Sequence, residues 1–184
     1  MASRERFEEL ARPHMDASYN LAFWIVRNRD DAEDVVQDAY LRAFRAFGGF
    51  KGDAMRPWLL AIVRHCAYRM LRNRKRSSTI IPFAIAFGPG NGDSALEIAS
   101  HEPSAEALLV AEGEHERLRN ALAELPDAYR EAVVLRDLDG LTYAEIAKVA
   151  GVPAGTIMSR LSRGRAELRK ILSRCSCKET RNAM

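Results

Sequence analysis

Cysteine is scarce in this 184-residue chain: Cys66, Cys175 and Cys177 are its three thiols. They cannot make a disulfide framework, and a reducing cytoplasm is the compartment that fits. Long apolar runs are missing as well. The longest, Ile80 to Phe87, is interrupted by Pro82, whereas a bilayer crossing needs about 20 apolar residues, so no membrane insertion is expected. The opening residues Met1 to Arg6 are charged and do not read as a secretory signal. No glycine-rich phosphate loop, nucleophile elbow or convergent pair of carboxylates is present. Asp30, Asp31, Glu33 and Asp34 are neighbours along the chain but point several ways on a helix, which argues against acid–base chemistry and against an enzyme. No cofactor is implied. Cys175 and Cys177 are two ligands one residue apart with no His nearby, an incomplete metal site. Cys66 and His14 fall on apolar helix faces and read as packed residues, and His101 and His115 carry no signal. No segment alternates as a strand does, and there is no internal repeat.

What is abundant is charge, and it is unevenly spread. The 28 basic and 25 acidic residues give a net of +3. Residues 1–80 carry 15 basic and 10 acidic side chains, residues 81–125 carry 2 and 8, and residues 126–184 carry 11 and 7. Two basic ends flank an acidic middle, a pattern that suits a polyanion gripped at both ends.

Helical periodicity dominates both ends. Phe7, Leu10, Ala11, His14, Ala17, Ser18, Leu21 and Ile25 recur at spacings of three and four. The polar stretch Asn28 to Asp31 offers N-caps. A helix from about Ala32 to Phe47 places Ala32, Val36, Ala39, Tyr40, Ala43 and Phe47 on one face, and Gly48 with Gly49 ends it. Pro57 suits the first turn of the next helix, whose inner face is Leu59, Val63, Cys66, Ala67 and Met70. From Ser77 to His101 the period collapses, and Gly88 to Ser94 has loop chemistry. A helix restarts near Pro103 and runs to Leu125. Another starts at Pro126 and ends at Gly140. The expected fold class is all-α: two small helical domains, residues 1–76 and 112–184, joined by an acidic linker over 77–111.

Residues 141–161 have the spacing of a helix-turn-helix. Thr142 and Glu145 form a capping box, Gly151 makes the turn, and Val152 with Pro153 opens a long last helix. Ala144, Ile146, Ala147, Val152, Ile157 and Leu161 are expected to close its core. On the last helix Ile157, Leu161, Gly164, Leu168 and Ile171 share an apolar stripe. Thr156, Ser159, Arg160, Arg163 and Lys170 face outward, with Arg165 and Arg169 on a flank. A basic exposed helix after a tight turn fits entry into a DNA major groove.

The first domain carries two opposed surfaces. Five acids stand among the nine residues Asp30 to Asp38. Those in the first turn complement the helix dipole, but Asp31, Asp34, Asp38 and Leu41 are expected to project away from the core. Acids around an exposed Leu suit a protein-docking surface. From Arg64 to Arg76 there are six basic residues and no acid. His65, Arg69, Arg72 and Arg76 form one stripe, with Trp58 and Tyr68 close by. Cations interleaved with aromatics suit an opened nucleic-acid strand, whose phosphates meet the cations and whose bases stack on the rings.

The stretch from Asp31 to Ala43, then Phe50 to Leu59, then the basic helix, resembles domain 2 of a bacterial sigma factor. Leu125 and Pro126, then Tyr143 to Ala147, then Gly151 to Arg165, resemble its domain 4. The two-domain form is similar to the extracytoplasmic-function group, and the likeness covers roughly residues 4–76 and 112–172. It implies a transcription initiation factor that binds core RNA polymerase and directs it to promoter DNA. Asp31, Asp34, Gln37, Asp38 and Leu41 would dock on polymerase. Phe50, Lys51, Asp53 and Arg56 would capture a flipped −10 base. Trp58, Arg64, His65, Tyr68, Arg69, Arg72 and Arg76 would hold the opened strand. Thr142, Pro153, Thr156, Ser159, Arg160, Arg163 and Arg165 would read the −35 element. An anti-sigma factor is an expected partner. His65 stands where members often carry Asn, and Met158 where they often carry Lys; both bear on promoter sequence. The alternative is a stand-alone helix-turn-helix regulator that binds an operator as a dimer.

Overall fold

The computed structural model describes the backbone of residues 2–51, 54–78 and 105–182, and the side chains of 4–51, 54–76 and 114–174. The readings of residues 79–104, which include Ile80 to Phe87, and those of Asp53 and of the side chains of Cys175 and Cys177, lie outside the described residues. All regular structure among the described residues is helical.

The first apolar stripe is not one helix. α1 (Ala2–Ala11) gives way to a 3₁₀ turn at Arg12–His14 and then to α2 (Met15–Val26). Pro13 lacks the amide that a continuous helix needs, so the axis breaks there. α2 ends on Arg27 in the left-handed region, φ 58°, its amide bonded to the Phe23 carbonyl at 2.7 Å. Asn28 Oδ1 accepts from the Asp31 amide at 2.9 Å and caps α3 (Arg29–Ala46). α3 therefore starts a turn earlier than the apolar period predicts. Phe47–Gly49 form a short 3₁₀ turn, and α4 (Met55–Ser78) follows with Pro57 in its first turn.

α2, α3 and α4 pack on one another. Leu21, Ala32, Ala39, Leu59, Leu60, Val63 and Ala67 are fully buried. Val35, which the expected α3 face omits, is buried as well, whereas Met70 is only half-buried. A second cluster joins Phe7, Ala11, Ala43, Phe47, Met55 and Leu59, with Tyr40, Phe50, Trp58 and Ile62 packed on it.

α5 (Ala105–Glu124) is followed by α6 (Asp127–Val133), which runs into a π-helical turn at Val134–Leu138. α7 (Tyr143–Ala150) starts at the predicted capping box: the Thr142 hydroxyl accepts from the Glu145 amide, and the Glu145 carboxylate accepts from the Thr142 amide at 2.8 Å. Gly151, with φ 67°, makes the turn into α8 (Ala154–Asn182). Ile146, Ile157 and Leu161 are buried as expected, but Ala144 is exposed and Val152 half-buried. Val149 and Ala150 fill that place, because α7 turns its last residues inward.

Two compact units result: Met1–Phe83 with Pro126–Arg165, and Ala84–Leu125 with Ala166–Met184. In the second unit Ala121, Leu122, Leu125 and Ile171 are buried, and Arg174 pairs with Glu124 at 3.2 Å. In the first, α6 and the π turn lie on α2, and α7 lies on α4.

Gly164 of α8 allows a close approach to α6. A Cβ there would meet Val133 Cγ2 at 3.1 Å, Tyr129 Cβ at 3.2 Å and the Tyr129 carbonyl at 3.3 Å. Gly164→Ala is expected to cost about 1–3 kcal/mol in urea unfolding. Gly155 has open space around it, so Gly155→Ala should be neutral or stabilise by up to about 1 kcal/mol.

Candidate nucleic-acid and protein interfaces

The outer face of α3 is smaller than the sequence suggests. Asp34, Gln37 and Leu41 are exposed, Leu41 at 58%. Asp31 is not: it is buried at 8% exposure, with Arg74 of α4 folded over its carboxylate. The expectation that Asp31 projects away from the core is therefore corrected. α3 starts early enough to turn this first-turn residue toward α4, whose cation replaces lost solvent. Asp38 is half-covered and shared by Arg42 at 2.9 Å and Arg69 at 2.7 Å. Burial opposes its charge, but hydrogen bonds from Cys66 and Arg42 and the two guanidinium charges outweigh that and hold the carboxyl below its ordinary range. Phe44, exposed at 42%, extends the apolar part of this face beyond Leu41.

At the head of α4 an aromatic ladder builds a cleft. Phe7 meets Phe47 edge-on at 5.3 Å, Phe47 stacks on Phe50 at 6.0 Å, and Phe50 meets Trp58 at 4.8 Å. One end of the ladder is core, and the other is half-exposed. Phe50, Lys51, Pro57, Trp58 and Ala61 line an open cleft of about 630 Å³, with Lys148 of α7 on its rim. Further along α4, His65, Arg72 and Arg76 are exposed.

Three other cations of this set have partners inside the chain. Arg69 is the one on Asp38. Arg56 donates to the Asp139 carbonyl. Arg64 donates to Glu131 at 2.5 Å and lies over the Tyr68 ring at 4.8 Å, while the Tyr68 hydroxyl donates to the same carboxylate at 3.1 Å. Burial, and then the Glu131 charge, push the Tyr68 phenol up to about 12. Burial, and then Asp38, push the Cys66 thiol up to about 11, which keeps it protonated and unreactive.

On the helix-turn-helix, Thr142, Pro153, Ser159 and Arg163 are exposed, and Thr156 and Arg160 half-exposed. Arg165 is drawn sideways into a pair with Asp137. Met158, at 53% exposure, stands between them on the outer face.

Sequence reasoning missed Arg130, Glu131, Asp139 and Lys148. The charged pair Arg130 and Glu131, directly before the apolar stretch Ala132 to Leu135, was the one available signal.

Residues 10–77 match the family described as Sigma-70 region 2, and residues 115–168 match Sigma-70, region 4. The chain is 32% identical over 182 residues to the ECF RNA polymerase sigma factor SigE of Mycolicibacterium smegmatis, covering 99% of this chain and 67% of that one. It belongs to the extracytoplasmic-function sigma factors of the sigma-70 family. The sigma-E factor of Escherichia coli K12 is 35% identical over 138 residues, 73% of this chain and 70% of its own. Among solved structures, the sigma factor RpoE in a co-crystal with the anti-sigma factor NepR from Bartonella quintana superposes with a TM-score of 0.70 at 27% identity, covering 92% and 98% of the two chains. This sigma factor directs RNA polymerase to promoters and is not an enzyme. The region 2 match sets aside the stand-alone operator-binding regulator. No helix among the described residues is long and apolar enough to cross a membrane.

Asp139 gives the region 4 loop a titratable anchor. Its Oδ1 accepts from Asn20 at 3.3 Å, Oδ2 is buried with no hydrogen-bond partner among the described residues, and burial raises the carboxyl from 3.8 to about 6 despite Asn20 and Arg56. The raised value means that the fold favours the protonated form. The stability it contributes is complete below about pH 4 and lost as pH rises through about 6. Asp139→Asn is therefore expected to stabilise the protein by about 1–2 kcal/mol near pH 7 and by little near pH 4, in paired thermal melts at both values.

Proposed function

We propose that the sigma factor divides its work among three surfaces. The exposed acids and apolar residues of α3, Asp34, Gln37 and Leu41 with the edge of Asp38, dock on core RNA polymerase. The cleft bounded by Phe50, Lys51 and Trp58, which Arg56 and Asp53 flank in sequence, takes an unstacked −10 base. His65, Arg72 and Arg76, joined by Arg64, Tyr68 and Arg69 once these are released from their carboxylates, guide the opened strand. The outward residues of α8, Thr156, Ser159, Arg160 and Arg163 with Pro153 and Thr142 at its mouth, enter the major groove of the −35 element. The division runs through residues 1–76 and 112–184, with 77–111 spanning between the elements they read.

The observation that carries the reading is the cleft itself. An aromatic wall tied into the core meets lysines at a solvent opening, and α4 leads from it as an exposed basic track. Extracting a base costs a few kcal/mol, which stacking on such a wall and phosphate contacts to the track can offset. Strand opening then needs binding energy and no hydrolysis.

The relatives support a cytoplasmic setting. The co-crystal of RpoE with NepR supports an anti-sigma factor as the controlling partner, because the two sigma chains superpose over nearly their whole length.

Two variants separate the surfaces. Asp34→Arg reverses an exposed charge with no ion-pair partner among the described residues, and is expected to reduce retention of core polymerase in a pull-down about tenfold without changing the melting curve. Arg160→Ala should leave polymerase binding intact and lower run-off transcription from a −35-dependent template by about 1–3 kcal/mol in apparent promoter affinity. Full polymerase retention by Asp34→Arg would contradict the docking surface.

A further inference from the structure

The outward face of α8 has two unlike edges. Ile157 and Leu161 are buried and Gly164 lies against Tyr129 and Val133, so the rotation of the helix about its axis is fixed. Thr156, Arg160 and Arg163 stand about 140–160° around the helix from Met158. Between these edges the side chains are short. Gly155, Ser159 and Ser162 are exposed, and a Cβ added at Gly155 would meet nothing within 4 Å. On the Met158 edge the nearest cation is Arg165, about 20° away around the axis, and Asp137 holds it aside, accepting from its Nε at 3.0 Å. Met158, 53% exposed, is the one large exposed apolar side chain of α8 among the described residues.

We infer that Met158 is a specificity-determining residue, whose thioether chain packs against the C5-methyl group of one thymine in the −35 element. The inference rests on the entry of α8 into the major groove proposed above. Single exposed apolar side chains are ordinary on most surfaces. On a helix laid against base edges, however, a long apolar side chain selects for the apolar feature of those edges. Among unmodified bases only thymine offers one in the major groove, its methyl group, and a guanidinium reads guanine instead. Methionine suits the task, because its unbranched chain has three rotatable bonds and adapts to a methyl group without the strict alignment of a hydrogen bond. The short side chains of Gly155, Ser159 and Ser162 let a base edge approach it. With Arg165 taken by Asp137, that cation is drawn away from the apolar contact. The two edges thus divide the reading: Arg160 and Arg163 take guanine edges or phosphates, and Met158 takes a thymine methyl.

The experiment uses holoenzyme reconstituted from the full chain and core RNA polymerase, with a duplex promoter library randomised over the −35 and −10 elements. Transcribed templates are selected and sequenced. The unaltered protein is expected to select thymine at one −35 position, on either strand, where Met158→Ala selects no base, while the other positions keep their preferences. In the best selected template, deoxyuridine in place of that thymine removes the methyl group and keeps every hydrogen-bonding group. It is expected to weaken binding of the unaltered holoenzyme about fourfold, the worth of one buried methyl group, and to leave Met158→Ala unaffected. Met158→Gln keeps the chain length but ends it in an amide. It is expected to lose the response to deoxyuridine as well, and it covers the case in which Met158→Ala does not fold. Identical selections by the unaltered protein and both variants overturn the inference. Equal binding of the thymine and deoxyuridine templates by the unaltered holoenzyme overturns it too. Arg160→Ala tests the groove entry separately. If it relaxes a −35 position while the Met158 variants relax none, the methyl contact alone fails. If none of the three variants alters a −35 preference, the groove entry fails and the methyl contact with it.

Discussion

α4 has to satisfy two environments along one helix, and the rest of the molecule is arranged around that constraint. Leu59, Leu60, Val63 and Ala67 leave no exposed surface, while Arg64, His65, Tyr68, Arg72 and Arg76 occupy the remaining circumference. A rotation of about 100°, one residue's worth, would drive Arg64 into the core. The aromatic ladder from Phe7 through Phe47 and Phe50 to Trp58 guards against that slip, because it ties the N-terminal end of α4 to α1 and the end of α3. The cleft at that end inherits its rigidity from the core on which its wall is built.

The charge pattern of α4 is balanced within the chain in a graded way. Arg74 is taken by Asp31, Arg69 by Asp38 and Arg64 by Glu131, while Arg72 and Arg76 are exposed. Pairs with open sides, such as Arg69 with Asp38, contribute little net stability and yield easily to a phosphate. Glu131 is different, because its carboxylate is almost wholly buried and leaving it without Arg64 is costly. One helix thus offers cations at several levels of availability, from fully exposed, through loosely held, to paired with a buried carboxylate.

Much of this was legible from residue order. Periodicities of three and four placed α3, α4 and α8, and a Thr and a Glu three apart placed the start of α7, since those signals depend on neighbours one turn away. Boundaries moved where a local rule competed with the apolar period: Pro13 split the first stripe, and the Asn28 cap started α3 early. Asp31 was misplaced for the same reason. Its position on a helical wheel says which way it points, but not that Arg74, 43 residues later, arrives to cover it. Arg130 and Glu131 were passed over because a charged pair in one turn of helix looks solvated until something is packed against it.

The sequence by itself determined an all-helical chain, the two matched regions, the helix-turn-helix and the exposed basic faces. These follow from turn-to-turn spacing and from side-chain chemistry that does not change with context. Only the tertiary structure decided which charges are free. Pairing Arg64 with Glu131, or Asp139 with Asn20, joins residues more than sixty positions apart. Burial and pKa are properties of such long-range neighbours, and no local pattern encodes them.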